Sequence, residues 1–140
     1  MKIKIAIGFI FFVVILLMYT FIQDSRLPKT GFENKTILVN GKQVDVIFMQ
    51  KSEIYPAYGL AYTNKVLVRK DLSPRVKRFV LSHELYHVSD NSNFGGWIGR
   101  EFRANFFPAF TDPLGFAATA ISSLSPERLS FYLNRFKKGS

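Results

Sequence analysis

The chain has 140 residues, which is room for one small folded domain. It contains no cysteine, so disulfides and thiolate metal sites are excluded, and any bound metal must be held by His, Asp or Glu. The net charge of +9 has the sign of a nucleic-acid binder. The basic residues are scattered, however, and no recognition motif accompanies them, so we expect no nucleic-acid partner.

The N-terminal segment from Ile5 to Ile22 is almost entirely apolar and carries no charge. About 18 residues at a rise of ~1.5 Å each span ~27 Å, close to the hydrocarbon thickness of a bilayer. Lys2 and Lys4 precede the segment, and its far end lacks a small-residue cleavage pattern. We therefore expect residues 1–22 to be an uncleaved transmembrane anchor, with the following domain extracytoplasmic. A buried core helix is the alternative, although this helix would be apolar on every face.

Residues 23–35 are polar and include Pro28 and Gly31, which predicts a linker. The domain proper, residues 36–140, then begins with two hairpin patterns. The first has Asn40-Gly41 between β-branched runs, and the second has Asn64-Lys65 between the runs 60–63 and 66–69. The sequence therefore predicts a small antiparallel sheet at the start of the domain.

The second half of the domain has helical patterns. Ser73 is a good N-cap and Pro74 suits the first helical position, which predicts a helix over 74–89. Further helices are predicted over 97–107 before Pro108, from Asp112-Pro113 onward, and over 127–137 after Ser125-Pro126. The predicted fold class is α+β, with the sheet followed by a helical layer and preceded by one transmembrane helix.

One motif on the first predicted helix suggests metal chemistry: His83-Glu84-Leu85-Tyr86-His87. Two histidines four residues apart project from the same face of a helix and can bind one metal ion together. Glu84 lies beside them, where it could take a proton from water and deliver it to a leaving amine. This H-E-x-x-H pattern favours a zinc peptidase, and an inert helix with two packed histidines is the alternative.

A catalytic zinc needs a third protein ligand, which here must be a carboxylate because the chain has no other His and no Cys. Glu101 in the next helix is the leading candidate, and Asn105 on the same face could support a ligand by hydrogen bonding. In the competing interpretation Glu101 is a solvated partner of Arg100 or Arg103. Asp90 is the second candidate ligand, although it better suits a role at the helix end.

The motif helix, taken with the R-E-F-R-A-N stretch at 100–105, resembles the core of the gluzincin metallopeptidases. The resemblance covers about the middle third of the chain. It is closest to the minimal gluzincins of the ImmA/IrrE type, and E-x-x-A-N is similar to the E-x-x-A-D of the membrane-associated HtpX group.

This resemblance implies a zincin-like domain with His83, His87 and Glu101 as zinc ligands and Glu84 as general base. It also implies a peptide or protein substrate that adds as a strand to the sheet edge at 65–69. The first hypothesis is therefore a membrane-anchored zinc metallopeptidase. The alternative is a degenerate zincin-like domain that binds metal or a peptide partner without hydrolysis.

The sequence leaves two features of such a site open. Zinc itself, Tyr86, Tyr132 or an arginine could stabilise the oxyanion of the tetrahedral intermediate. Phenylalanines are abundant after the motif, and we expect them to pack the core of the helical layer, with a hydrophobic cleft or a membrane-facing surface as the alternative. These phenylalanines are Phe94, Phe102, Phe106, Phe107, Phe110 and Phe116.

Overall fold

The computed structural model describes residues 32–126 and 128–130, together with six isolated positions near the N-terminus. Four strands and four helices have defined bounds. In chain order they are β1 (Lys35–Val39), β2 (Lys42–Met49), α1 (Lys51–Ile54), β3 (Gly59–Ala61), β4 (Lys65–Arg69), α2 (Pro74–Ser89), α3 (Gly96–Thr111) and α4 (Pro113–Ser123). The predicted C-terminal helix lies mostly outside the described residues.

The four strands form one sheet in the order β1-β2-β4-β3. Both predicted hairpins are present as antiparallel pairs, and the turn of the first has positive φ at Asn40 and Gly41, as its Asn-Gly sequence requires. The prediction of an antiparallel sheet is nevertheless wrong, because β2 and β4 pair in parallel. Helix α1 connects β2 to β3, which lies at the far edge of the sheet. The chain then turns back into β4, which lies between β3 and β2, antiparallel to β3 and parallel to β2.

The core lies between the sheet and α2. Alternate residues of β2, Val44, Val46 and Phe48, are buried, and Val76 and Val80 of α2 pack against them. Full burial of each such side chain contributes roughly 1.5–3 kcal/mol. This packing fixes which face of α2 points to the sheet and which face is left for the site.

The starts of α2 and α4 were predicted correctly, whereas the short α1 was not predicted. The Ser73 hydroxyl accepts from the Val76 N–H, and the Asp112 carboxylate accepts from the Gly115 N–H. The predicted end of α3 at 107 is wrong, since the helix continues through Pro108 to Thr111. Proline removes its own N–H but keeps its carbonyl, and the Pro108 carbonyl accepts from the Asp112 N–H one turn later.

The predicted transmembrane segment, residues 5–22, falls largely outside the described residues. Only Gly8, Phe11, Phe12, Ile15, Met18 and Tyr19 of it are described, and all six are helical. No helix in the described part of the chain is long and apolar enough to cross a membrane. The longest helices with defined bounds, α2 and α3, have 16 residues each and carry several charges. This finding contradicts the predicted single-pass topology and the extracytoplasmic location derived from it.

The expectation that the phenylalanines pack the core is also wrong. Ala104 and Pro108 are the buried residues of α3, whereas all four of its phenylalanines are exposed. Phe102 is 64 % exposed and Phe110 is 71 % exposed. The rings contact one another along the helix, with centroids 5.3 Å apart for Phe102–Phe106 and 4.7 Å apart for Phe106–Phe110.

Candidate metal centre

Helix α2 carries a group of three side chains that could hold a metal ion: His83, Glu84 and His87. Their ligand atoms all lie within 4.8 Å of one another. The two imidazoles are one helical turn apart, with their Nε2 atoms 3.1 Å from each other and their ring planes nearly perpendicular. The predicted motif therefore presents two nitrogen ligands toward one point.

Helix α3 determines the orientation of the first histidine. His83 Nδ1 lies 3.1 Å from the carbonyl oxygen of Ala104. A carbonyl can only accept, so Nδ1 must carry the hydrogen, and deprotonation of Nε2 would leave its lone pair facing the site. Arg100 donates to the main-chain carbonyl of His87 at 2.7 Å and so ties α3 to the second histidine's turn.

Glu101 of α3 lies directly at the two imidazoles. One carboxylate oxygen is 3.4 Å from Nε2 of His87 and the other is 3.6 Å from Nε2 of His83. The two histidines, by hydrogen bonding to the carboxylate, hold the pKa of Glu101 far below its usual range. The interpretation of Glu101 as a solvated partner of Arg100 or Arg103 is wrong, because both arginines are engaged elsewhere.

Asp90, the other candidate ligand, lies at the end of α2 and is paired with Arg103 at 2.8 Å. Its pKa is lowered chiefly by the N–H of Ser92, and in addition by Arg103. Asp90 is thus a helix-end group, which is the second role considered for it. Asn105 does not support a ligand as expected, since its amide donates to the main-chain carbonyl of Glu101 rather than to the carboxylate.

Glu84 is the second acidic group of the site, and it is 8 % exposed. It packs against Gly59 of β3, where a Cβ would come within 2.6 Å of the Glu84 carboxylate. Burial raises the pKa of Glu84 to about 7, with His83 opposing the rise and Glu101 adding to it. The glycine therefore allows a carboxylate to be buried between the motif helix and the sheet.

A cavity of about 270 Å³ adjoins these groups. Besides the predicted residues, its lining includes Tyr58, Gly59, Thr119 and Arg128, none of which the sequence analysis singled out. No local signal identifies them, because they come from β3 and the loop before it and from two helical segments distant from the motif in the sequence.

The sheet edge beside the site is β3 and not residues 65–69. The expectation that 65–69 is an edge is wrong, because β4 is hydrogen-bonded to β2 on one side and to β3 on the other. β3 has only β4 as a strand neighbour among the described residues. Gly59, at the start of β3, also lines the cavity, so this strand lies beside the candidate metal centre.

No protein-family model, no curated protein and no solved structure matches this chain. The candidate centre offers two imidazole nitrogens, two carboxylates with opposite pKa shifts and an adjoining cavity.

Proposed function

We propose that this chain is a zinc-dependent peptidase in which His83, His87 and Glu101 hold the zinc ion. The supporting observation is the separation of the three ligand groups, which is 3.1 Å between the two nitrogens and 3.4 and 3.6 Å from nitrogen to carboxylate oxygen. Tetrahedral zinc with bonds of about 2.0–2.1 Å separates its ligand atoms by about 3.3 Å. The two nitrogens and the Glu101 carboxylate, which turns one oxygen toward each nitrogen, lie at about this spacing and leave the fourth position of a tetrahedron for water.

Two carboxylates lie close enough to be the third ligand, and their environments favour different roles. A ligand must be ionised, and the pKa of Glu101 is lowered by its two histidine neighbours. Glu84 is buried and its pKa is raised to about 7, which suits a group that gains and loses a proton near neutral pH. The opposite shifts support Glu101 as ligand and Glu84 as general base.

When bound, zinc would supply Lewis acidity to the attacking water and to the substrate carbonyl. The Glu84 carboxylate accepts the proton of that water and later returns it to the leaving amine. The His83 Nδ1–H, held by the Ala104 carbonyl, keeps the imidazole from turning its protonated nitrogen toward the site. An extended peptide would pair with the outer edge of β3, which brings its backbone past Gly59 and Glu84.

The test uses the purified full chain, its zinc content and its hydrolysis of a peptide library. We expect about one zinc per chain in the wild type. Glu84→Gln should keep that zinc and lose about 10³-fold in kcat, since it cannot accept the proton. Glu101→Gln should lose zinc, whereas Asp90→Asn, which alters a carboxylate paired with Arg103, should keep it.

The outcomes test the proposed base, the proposed ligand and the non-hydrolytic alternative separately. Equal hydrolysis by wild type and Glu84→Gln would remove the proposed base, and full zinc content in Glu101→Gln would remove the proposed ligand. Zinc binding by a wild type that cleaves no peptide in the library would instead support the non-hydrolytic, metal-binding alternative.

A further inference from the structure

The cavity beside the metal centre contains a positive charge that the proposed hydrolysis does not use. Arg128 lines it together with His83, Glu84 and Glu101, and the arginine is only 6 % exposed. The guanidinium group of an arginine carries a positive charge in proteins. A permanent cation is thus built into the wall of the same cavity as the metal centre.

The guanidinium is fixed in position by the loop before β3. It donates to the Pro56 carbonyl at 2.6 Å, and its central carbon lies 3.5 Å from the centroid of the Tyr58 ring. Tyr58 is itself held, because its hydroxyl donates to the Ser122 carbonyl at 2.5 Å. A stacked, hydrogen-bonded guanidinium loses little side-chain entropy on binding a ligand, which makes it a preorganised anion-binding group.

A second polar group lines the same cavity. The hydroxyl oxygen of Thr119 on α4 is buried, and no described residue hydrogen-bonds to it. An unsatisfied buried hydroxyl is costly, so a group that enters the cavity and hydrogen-bonds there recovers that cost. Ser123, one turn further along α4, adds another hydroxyl to the lining.

We propose that Arg128 binds a carboxylate of the peptide substrate in this cavity, with the Thr119 hydroxyl hydrogen-bonding to the same part of the substrate. The assignment of the bound molecule as a peptide substrate rests on the peptidase function proposed above. Arginine matches a carboxylate with two parallel hydrogen bonds, and a cation in a poorly solvated wall attracts anions more strongly than one at an open surface. The carboxylate belongs to the C-terminus of the peptide or to an Asp or Glu side chain near the scissile bond.

The experiment measures binding in the zinc-loaded full-length Glu84→Gln protein, so that the peptide is not cleaved. The probes are fluorescein-labelled alanine–leucine peptides in matched pairs, one pair with a free or amidated C-terminus and one amidated pair with an internal Glu or Gln. Fluorescence anisotropy should show that the acid form of one pair binds about 10- to 100-fold tighter than its neutral twin. Whichever pair shows the difference identifies the source of the carboxylate.

Three additional substitutions in the Glu84→Gln background test whether Arg128 causes the preference for the acid form of the peptide. Arg128→Gln should abolish it, and Arg128→Lys should retain part of it because the charge remains. Lys70→Gln, which removes a charge at an exposed position outside the cavity lining, should leave it unchanged. Zinc content and unfolding temperature establish that each variant is folded.

Equal binding of acid and neutral twins, or no binding of either, overturns the proposal, as does a preference that survives Arg128→Gln. If Arg128→Gln does not fold, the twin comparison together with Arg128→Lys still decides, since equal affinities there overturn it. A wild type that hydrolyses no peptide, combined with Arg128-dependent binding of the acid twin, removes the peptidase function and keeps the carboxylate site.

Discussion

The two carboxylates of the site come from different helices, α2 and α3, and their surroundings differ. Glu84 faces the sheet, where Gly59 lets it pack against β3 and burial raises its pKa to about 7. Glu101 comes from α3 and is about half exposed, and its two histidine neighbours lower its pKa. The comparison teaches that packing and neighbouring groups, and not residue type, raise the pKa of one glutamate and lower that of the other.

The largest expected effect concerns the stability of the metal-free protein. The raised pKa of Glu84 means that the folded state binds the carboxyl proton more tightly than the unfolded state does. The stability that this proton contributes is fully present below about pH 4.5 and is lost as pH rises toward 7. The rise from 4.5 to about 7 corresponds to about 3 kcal/mol. Glu84→Gln should therefore be more stable than wild type by about that amount at pH 8. Urea unfolding at pH 4 and pH 8 checks this.

The matched control is Glu101→Gln, for which the expected change in stability has the opposite sign. The lowered pKa of Glu101 contributes stability above its usual range, and that stability is lost as pH falls through the folded pKa. Glu101→Gln should therefore be less stable than the wild type above that range. If both substitutions shift stability in the same direction at pH 8, the contrast between the two sides of the site is wrong.

The next effect is the response to added zinc. A ligand that binds only the folded state at 100 times its dissociation constant stabilises the protein by about 2.7 kcal/mol. We expect this increase in wild type and in Glu84→Gln, because neither lacks a proposed ligand. Glu101→Gln should show little of it at the same zinc concentration, as followed by thermal unfolding. A zinc response lost in Glu84→Gln but kept in Glu101→Gln would exchange the two assigned roles.

A smaller effect is expected from Gly59→Ala on the sheet side. The added Cβ would meet the Glu84 carboxylate at 2.6 Å and Val80 at 2.7 Å, so the carboxylate must move. A misplaced base should lower kcat by about 10-fold while zinc content stays unchanged. Leu60→Ala, on the next residue and the opposite face of β3, is the control. A normal rate in Gly59→Ala would show that close packing against β3 does not position the base.

The smallest effect is expected from Asn105→Ala on the helix side. Its amide hydrogen-bonds to the main-chain carbonyl of Glu101 within the same helix, and not to the carboxylate. Removing such a bond costs about 1 kcal/mol or less. Zinc affinity, measured by competition with a chelator, should stay within about twofold of the wild type. A tenfold loss would show that Asn105 supports the ligand after all.

Much of the local structure was predictable because its causes are local. The Asn-Gly turn, the Ser73 cap and the Asp112 cap each depend on neighbouring residues, and all three are confirmed. The strand order was not predictable, since hairpin patterns do not reveal that β2 and β4 pair in parallel. The same holds for the phenylalanines of α3, because hydrophobicity alone does not tell which side of a helix the rest of the chain covers.

The sequence by itself determined the H-E-x-x-H pattern, the helix that carries it and the absence of any other His or Cys. These facts limit a zinc site at this motif to the two histidines and carboxylate ligands. Only the tertiary structure decided which carboxylates approach the histidines and how each is perturbed. Glu101 reaches them because α3 packs against α2, and Glu84 is buried because β3 presents a glycine. Burial and neighbouring charges set a pKa, and both depend on residues far apart in the chain.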